Sequence, residues 1–190
     1  MHSIMAVAHR GSIFHLLDDP RYNPQAYQYI DDGLLVISEG KVVSVGAASD
    51  DLKNLSPDTQ IVDHGDAIIT PGYFDLHTHF PQLTTVAVYG EQLLGWLNAI
   101  IPEEEVYKDS DVAAERAKIF LKECLRAGTT SMVAYGSWAK ESVDALFREA
   151  QRLNMSIVAG KVMANRNMPE GISLTDPEPD YNDSAELIER

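Results

Sequence analysis

Two histidines separated by one residue, His77 and His79, are the side chains of this sequence best placed to do chemistry. They lie in the stretch PGYFDLHTHFPQ (71–82), after an apolar run, Ala67-Ile68-Ile69-Thr70, and a bend at Pro71-Gly72. On an extended strand, residues i and i+2 point to the same side, about 7 Å apart along the chain. Two imidazoles placed in this way can each turn a ring nitrogen onto one cation at about 2.0–2.1 Å. A bare H-x-H also arises by chance as two ordinary strand histidines, so its setting decides. Here Asp75 and Thr78 keep the end of the strand polar, and Phe80-Pro81 terminates it. A buried strand that turns rich in His and Asp at its C-terminal end is the habit of an α/β barrel at its catalytic face.

The elements needed to position that pair are legible on both sides of it. Residues 1–66 read as a small β-sandwich-like domain, and residues 67–190 as the start of a TIM-type (β/α)8 barrel. In the first part, Gly11 to Phe14 forms a short strand and a polar loop runs from Asp18 to Tyr29. The runs Gly33–Ser38 and Lys41–Gly46 flank the turn Glu39-Gly40, a hairpin signal. His2, His9, His15 and His64 fall here and read as surface or hydrogen-bonded histidines.

The second part begins with a barrel strand expected over Ala67 to His79, then a loop with Gln82 and an apolar segment from Leu93 to Ile101 ended by Pro102. Glu103-Glu104-Glu105 reads as a solvated turn or helix start. Asp109 to Asp111 caps a helix with Ala113, Ala117, Phe120, Leu121, Cys124 and Leu125 on one stripe. A strand at Thr129–Tyr135, a helix through Val143 and Leu153, a strand at Ser156–Met163 and a helix capped near Asp183 complete the pattern. Apolar strands alternating with amphipathic helices mean βαβ units on a parallel sheet. The fold class is therefore α/β with the first three β/α units of an incomplete barrel, since a closed one takes eight strands and about 250 residues.

Composition excludes more than it names. Among 190 residues, 15 Lys+Arg against 29 Asp+Glu give a formal charge of −14, which repels nucleic-acid and membrane phosphates. No 18-residue apolar span marks a membrane helix, and no basic leader precedes a cleavage-like site. Cys124 is the only cysteine, so no intrachain disulfide forms, and it reads as a packed core thiol in a reducing, cytoplasmic setting.

With these residues in place, the sequence resembles the amidohydrolase superfamily of metal-dependent hydrolases, through PG(Y/F)xDxHxH closing a first barrel strand after a small β region. The continuation FPQ (80–82), EQLLGWLN (91–98), AGTTSM (127–132) and AGKVMANRNMPE (159–170) resembles the bacterial guanine deaminase family within it, from about Arg10 to Arg190. The resemblance implies hydrolysis of a small-molecule purine, guanine, to xanthine and ammonia. It also implies one Zn(2+) per site and an intact enzyme that is a homodimer. It places His77 and His79 as the first two metal ligands, Gln82 on the purine and Trp96 as an aromatic closing the pocket. Trp96 could equally be core, packed beside Leu93, Leu94 and Leu97.

Arg166 and Asn167 are expected at the catalytic face. Asn165 departs from an acidic residue common in the family, which puts that charge in doubt. The remaining metal ligands and the proton-shuttling Glu come from later strands in the family. No catalytic residue is therefore expected within the chain; they are expected beyond Arg190. The chain reads as an N-terminal fragment, inactive by itself. Two other readings compete. One is a binuclear cyclic-amide hydrolase, dihydroorotase- or hydantoinase-like, whose carboxylated lysine could only be Lys161. The other is a catalytically dead binding module.

Overall fold

The computed structural model describes residues 6–170, 172 and 176–190. The chain divides into two compact units, one ending at Pro71 and one spanning Gly72–Arg190. His2 lies outside the described residues.

The first unit is a four-stranded sheet in the order β3-β2-β1-β4. β1 (Val7–Leu16) pairs antiparallel with β2 (Tyr27–Ser38) and parallel with β4 (Gln60–Ile69), while β3 (Lys41–Ala47) runs antiparallel to β2. The hairpin turn is the one the sequence indicates: Glu39 and Gly40 take φ of 52° and 72°, the left-handed pair that a tight two-residue hairpin needs. Ala8, Leu34 and Val36 are buried against Ala48 of the short helix α1 (Ala48–Asp51). This is one layer of the sandwich-like arrangement expected. Arg10 and Asp32 face each other across β1 and β2 in a bidentate pair at 2.7 and 2.8 Å.

The second unit is a parallel sheet, β5 (Tyr73–His79), β6 (Thr129–Tyr135) and β7 (Ser156–Gly160), in that order. The consecutive parallel order is that of three successive barrel strands. α3 (Ser110–Arg126) and α4 (Lys140–Leu153) are the crossovers, and Ala113, Ala117, Leu121, Leu146 and Ala150 bury the stripe on which their spacing insists. The α3 cap is as expected: the Asp109 carboxylate accepts the N–H groups of Asp111 and Val112 at 2.9 and 3.2 Å. Cys124 packs half-buried against this core, and burial above all raises its thiol pKa.

Three expectations are corrected. The first barrel strand starts at Tyr73, not Ala67: Ile68 and Ile69 still pair with Ser12 and Ile13 as the end of β4. Pro71, lacking an N–H, is no ladder donor in the break that follows. Gly72 is required there because a Cβ would stand 2.1 Å from Thr130 Oγ1. Second, the last helix, α5 (Pro177–Glu189), is capped by Asp176 and not at Asp183; Pro177 sits where the helix has no use for an N–H. Third, the acidic run is not uniformly solvated. It lies in a 3-10 helix, Ile101–Lys108, that follows α2 (Leu93–Ile100), and it buries Glu104 and Tyr107.

Candidate active site

β5 delivers the histidine pair through an irregularity. Its register against β6 shifts between Asp75 and Thr78, and the Asp75 carboxylate accepts the His77 backbone N–H at 3.0 Å. A bulge of this kind re-aims side chains at the end of a strand. Beyond it, His77 Nε2 and His79 Nε2 stand 3.3 Å apart. Two ligands on a tetrahedral ion with bonds of about 2.0–2.1 Å are separated by about 3.3–3.4 Å, so the two imidazoles fit one shared cation. Burial, and then the neighbouring His77, lowers the His79 pKa, which favours the neutral ring that a metal requires.

Tyr135, paired with His79 at the end of β6, lays its ring on His79 at 4.7 Å and meets His77 edge-on at 5.5 Å. Nothing in the sequence pattern marks Tyr135, because its part depends on β6 lying beside the histidine strand. Among the described residues no third His, Cys, Asp or Glu completes a metal-binding group. The donor set fits part of a zinc centre, two of the three protein ligands that a catalytic site takes.

The other two residues singled out in the sequence open onto the same space. A cavity of about 480 Å³ is lined by His77, His79, Gln82 and Trp96, with Phe120 reaching in from α3. That size suits a small ring ligand. Gln82 stands on the 3-10 turn Phe80–Thr85, whose Thr85 hydroxyl donates to the Gln82 carbonyl at 3.1 Å. Trp96 is on α2, half-buried, and its indole N–H donates to the Val88 carbonyl at 3.1 Å, tying the loop beside the cavity to the helix. Leu93 and Leu94 are exposed, so Trp96 does not belong to a packed apolar face with them.

Asn165, Arg166 and Asn167 are exposed in the loop after β7 and do not line this cavity. Lys161 is accounted for elsewhere: its side chain is fully buried, paired with Asp180 and 3.9 Å from Asp183. Glu104, expected in solvent, is buried on the 3-10 helix Ile101–Lys108 beside Tyr107, and burial pushes its carboxyl group up to about 7.

Comparison with known proteins matches residues 68–190 to the amidohydrolase family. Guanine deaminase of Escherichia coli (strain K12) is 42% identical over the whole chain. The solved structure of E. coli guanine deaminase superposes with a TM-score of 0.89 at 40% identity, over 96% of this chain. The C. acetobutylicum guanine deaminase with guanine bound in its active site gives 0.80 at 25% identity, also over 96% of the chain. The chain spans only 42–43% of the length of these relatives. On the match from residue 68 to residue 190, which takes in the histidine strand and all three parallel strands, the chain belongs to the amidohydrolase family.

Proposed function

We propose that this chain belongs to a guanine deaminase and supplies its first two metal ligands and part of its base-binding pocket. The reaction is guanine plus water giving xanthine plus ammonia. The observation that carries the reading is the convergence of His77, His79, Gln82 and Trp96 on one cavity, in a chain 42% identical to the E. coli guanine deaminase.

The chemistry follows from the side chains. His77 and His79 would hold a zinc ion, which when bound supplies a water acidic enough to attack near neutral pH. Gln82 offers a purine edge both an acceptor and a donor. Trp96 and Phe120 give the ring system apolar walls that exclude water from its faces. Proton transfer to the ring and the departing amine needs a carboxylate on the cavity, and none stands among the described residues that line it.

Protein expressed from its complete coding sequence should therefore release xanthine and ammonia from guanine. His77→Ala should cost more than about a hundredfold in kcat/KM, beyond the price of disturbing an outer-shell partner, and should lower bound zinc measured by elemental analysis. Intact protein with stoichiometric zinc and no xanthine would sink the reading. The 190 residues alone should bind zinc weakly and leave guanine unchanged.

The cyclic-amide reading needs a carboxylated Lys161 bridging two metals. The burial of Lys161 against Asp180 argues against it, and a zinc stoichiometry of one per chain rather than two would decide the matter.

A further inference from the structure

A pair of histidines on one strand is also a pair of rings that can turn. The torsion about each Cβ–Cγ bond is broad and two-fold, and a half-turn puts a ring carbon where the nitrogen stood. Metal-binding histidines are ordinarily held against this by an oxygen that accepts the other ring N–H. Among the described residues no oxygen accepts from the rings of His77 or His79; their hydrogen-bonding contact is with each other, at 3.3 Å.

What lies against both rings is Tyr135. The pairing of β5 with β6 sets it directly beside His79. Its phenol ring is 15° from parallel to the His79 imidazole at 4.7 Å, the spacing of neighbouring strands, and meets His77 at 60° and 5.5 Å. On the other flank Tyr135 pairs with Gly160 of β7, which has no side chain to draw it away. Gly136 follows, its N–H donating to the Gly160 carbonyl at 2.8 Å. There is no room for a Cβ at Gly136, which would stand 2.6 Å from Val143 Cγ2, so the backbone carrying the phenol ring is closely packed.

We propose that Tyr135 is a positioning residue for the metal, its ring holding the His77 and His79 imidazoles with both Nε2 atoms turned toward one ion. The proposal rests on reading the two histidines as metal ligands. A flat ring at stacking distance accepts a parallel imidazole but crowds the half-turn, which has to pass through an orientation perpendicular to it. The edge contact restrains His77 in the same way. Rings already in place lose less freedom when an ion arrives, and the gain is read as metal affinity. The face of the phenol ring does this, not its hydroxyl. Tyr135 is 44% exposed, so the core does not depend on it and its variants should fold.

The test is zinc affinity, measured by competition with a chromophoric chelator on protein expressed from its complete coding sequence. Tyr135→Leu, apolar but without a flat ring, should weaken zinc binding by about ten- to a hundredfold, the usual loss for an outer-shell partner. Tyr135→Phe should bind zinc as the wild type does. With cobalt(II) in place of zinc, the visible absorption bands should be the same in wild type and Tyr135→Phe and altered in Tyr135→Leu. A merely structural role would lower the melting temperature of zinc-free Tyr135→Leu and leave the zinc affinity of the folded protein unchanged, which overturns the proposal. Equal losses in Tyr135→Phe and Tyr135→Leu would assign the effect to the hydroxyl and overturn it as well. Zinc content indifferent to His77→Ala would overturn it together with the metal reading. Zinc held by the two histidines, with the expected response to Tyr135, in a protein that leaves guanine unchanged would retain the positioning role and remove only the guanine reading.

Discussion

A carboxyl group taken out of water without a cation beside it favours its neutral form, and Glu104, pushed up to about 7 by burial, carries that consequence into the stability of the fold. Its folded pKa lies above the unfolded value, so the folded chain binds the extra proton between pH 4.5 and about 7. Stability contributed by the protonated form is complete below pH 4.5, declines as pH rises through that window, and is gone above about 7. Glu104→Gln, which cannot charge, should therefore melt higher than wild type at pH 8, by on the order of 3 kcal/mol, and with little difference at pH 4.5. A melting difference that does not depend on pH would contradict this account. The same residue shows where sequence reading stops. His77 and His79 are legible because a strand repeats every two residues. Gln82 and Trp96 needed a resemblance to be noticed. Glu104 and Tyr135 were hidden, because their parts depend on which face of a 3-10 turn is covered and on which strand lies beside which. Neither is written in local spacing.

At the scale of elements, the helices that follow amphipathic stripes were read nearly residue for residue, and the misreadings sit where proline decides the geometry. Thr70-Pro71-Gly72 separates two strands that share one apolar run, and Pro177 with Pro179 opens α5 where the capping pattern at Asp183 to Glu186 lies inside the helix. Ser184 shows why that pattern misleads: its hydroxyl donates back to the Asp180 carbonyl at 2.9 Å, as a mid-helix serine does. Two predictions belong here. Asp109→Ala removes the acceptor for two N–H groups at the start of α3 and should cost about 1 kcal/mol in unfolding by denaturant. The larger effect is expected at the seam between the end of β7 and α5, where Lys161 and Asp180 are almost without exposure. Lys161→Met leaves a buried carboxylate without that cation, which should cost about 3–5 kcal/mol. If Lys161 were a carboxylated metal bridge, the substitution would in addition lower the metal bound per chain, which elemental analysis reads.

For the molecule as a whole, the question is what the apolar surface of the second unit does in solution. On β5, Tyr73, Phe74 and Leu76 are 60%, 72% and 73% exposed, and on β7 Val158 is 67% exposed. Among the described residues β5 pairs with β6 alone and β7 with β6 alone, so each leaves a ladder of backbone donors and acceptors along one side. Open edges flanked by bulky apolar side chains are templates for pairing with another chain. Against this stands the formal charge of −14, which repels like copies over a Debye length of about 10 Å at 0.1 M salt. The apolar attraction is not screened by salt and the repulsion is. These 190 residues, produced alone, should therefore associate more as ionic strength rises, the reverse of an assembly held by ion pairs. Sedimentation at 0.02 and 0.5 M salt would read this directly, and Leu76→Lys, placing a charge on the exposed part of β5, should shift the distribution back toward monomer at high salt. A sharp monomer peak at both salt concentrations, with cooperative unfolding, would mean that the exposed strands are protected in solution.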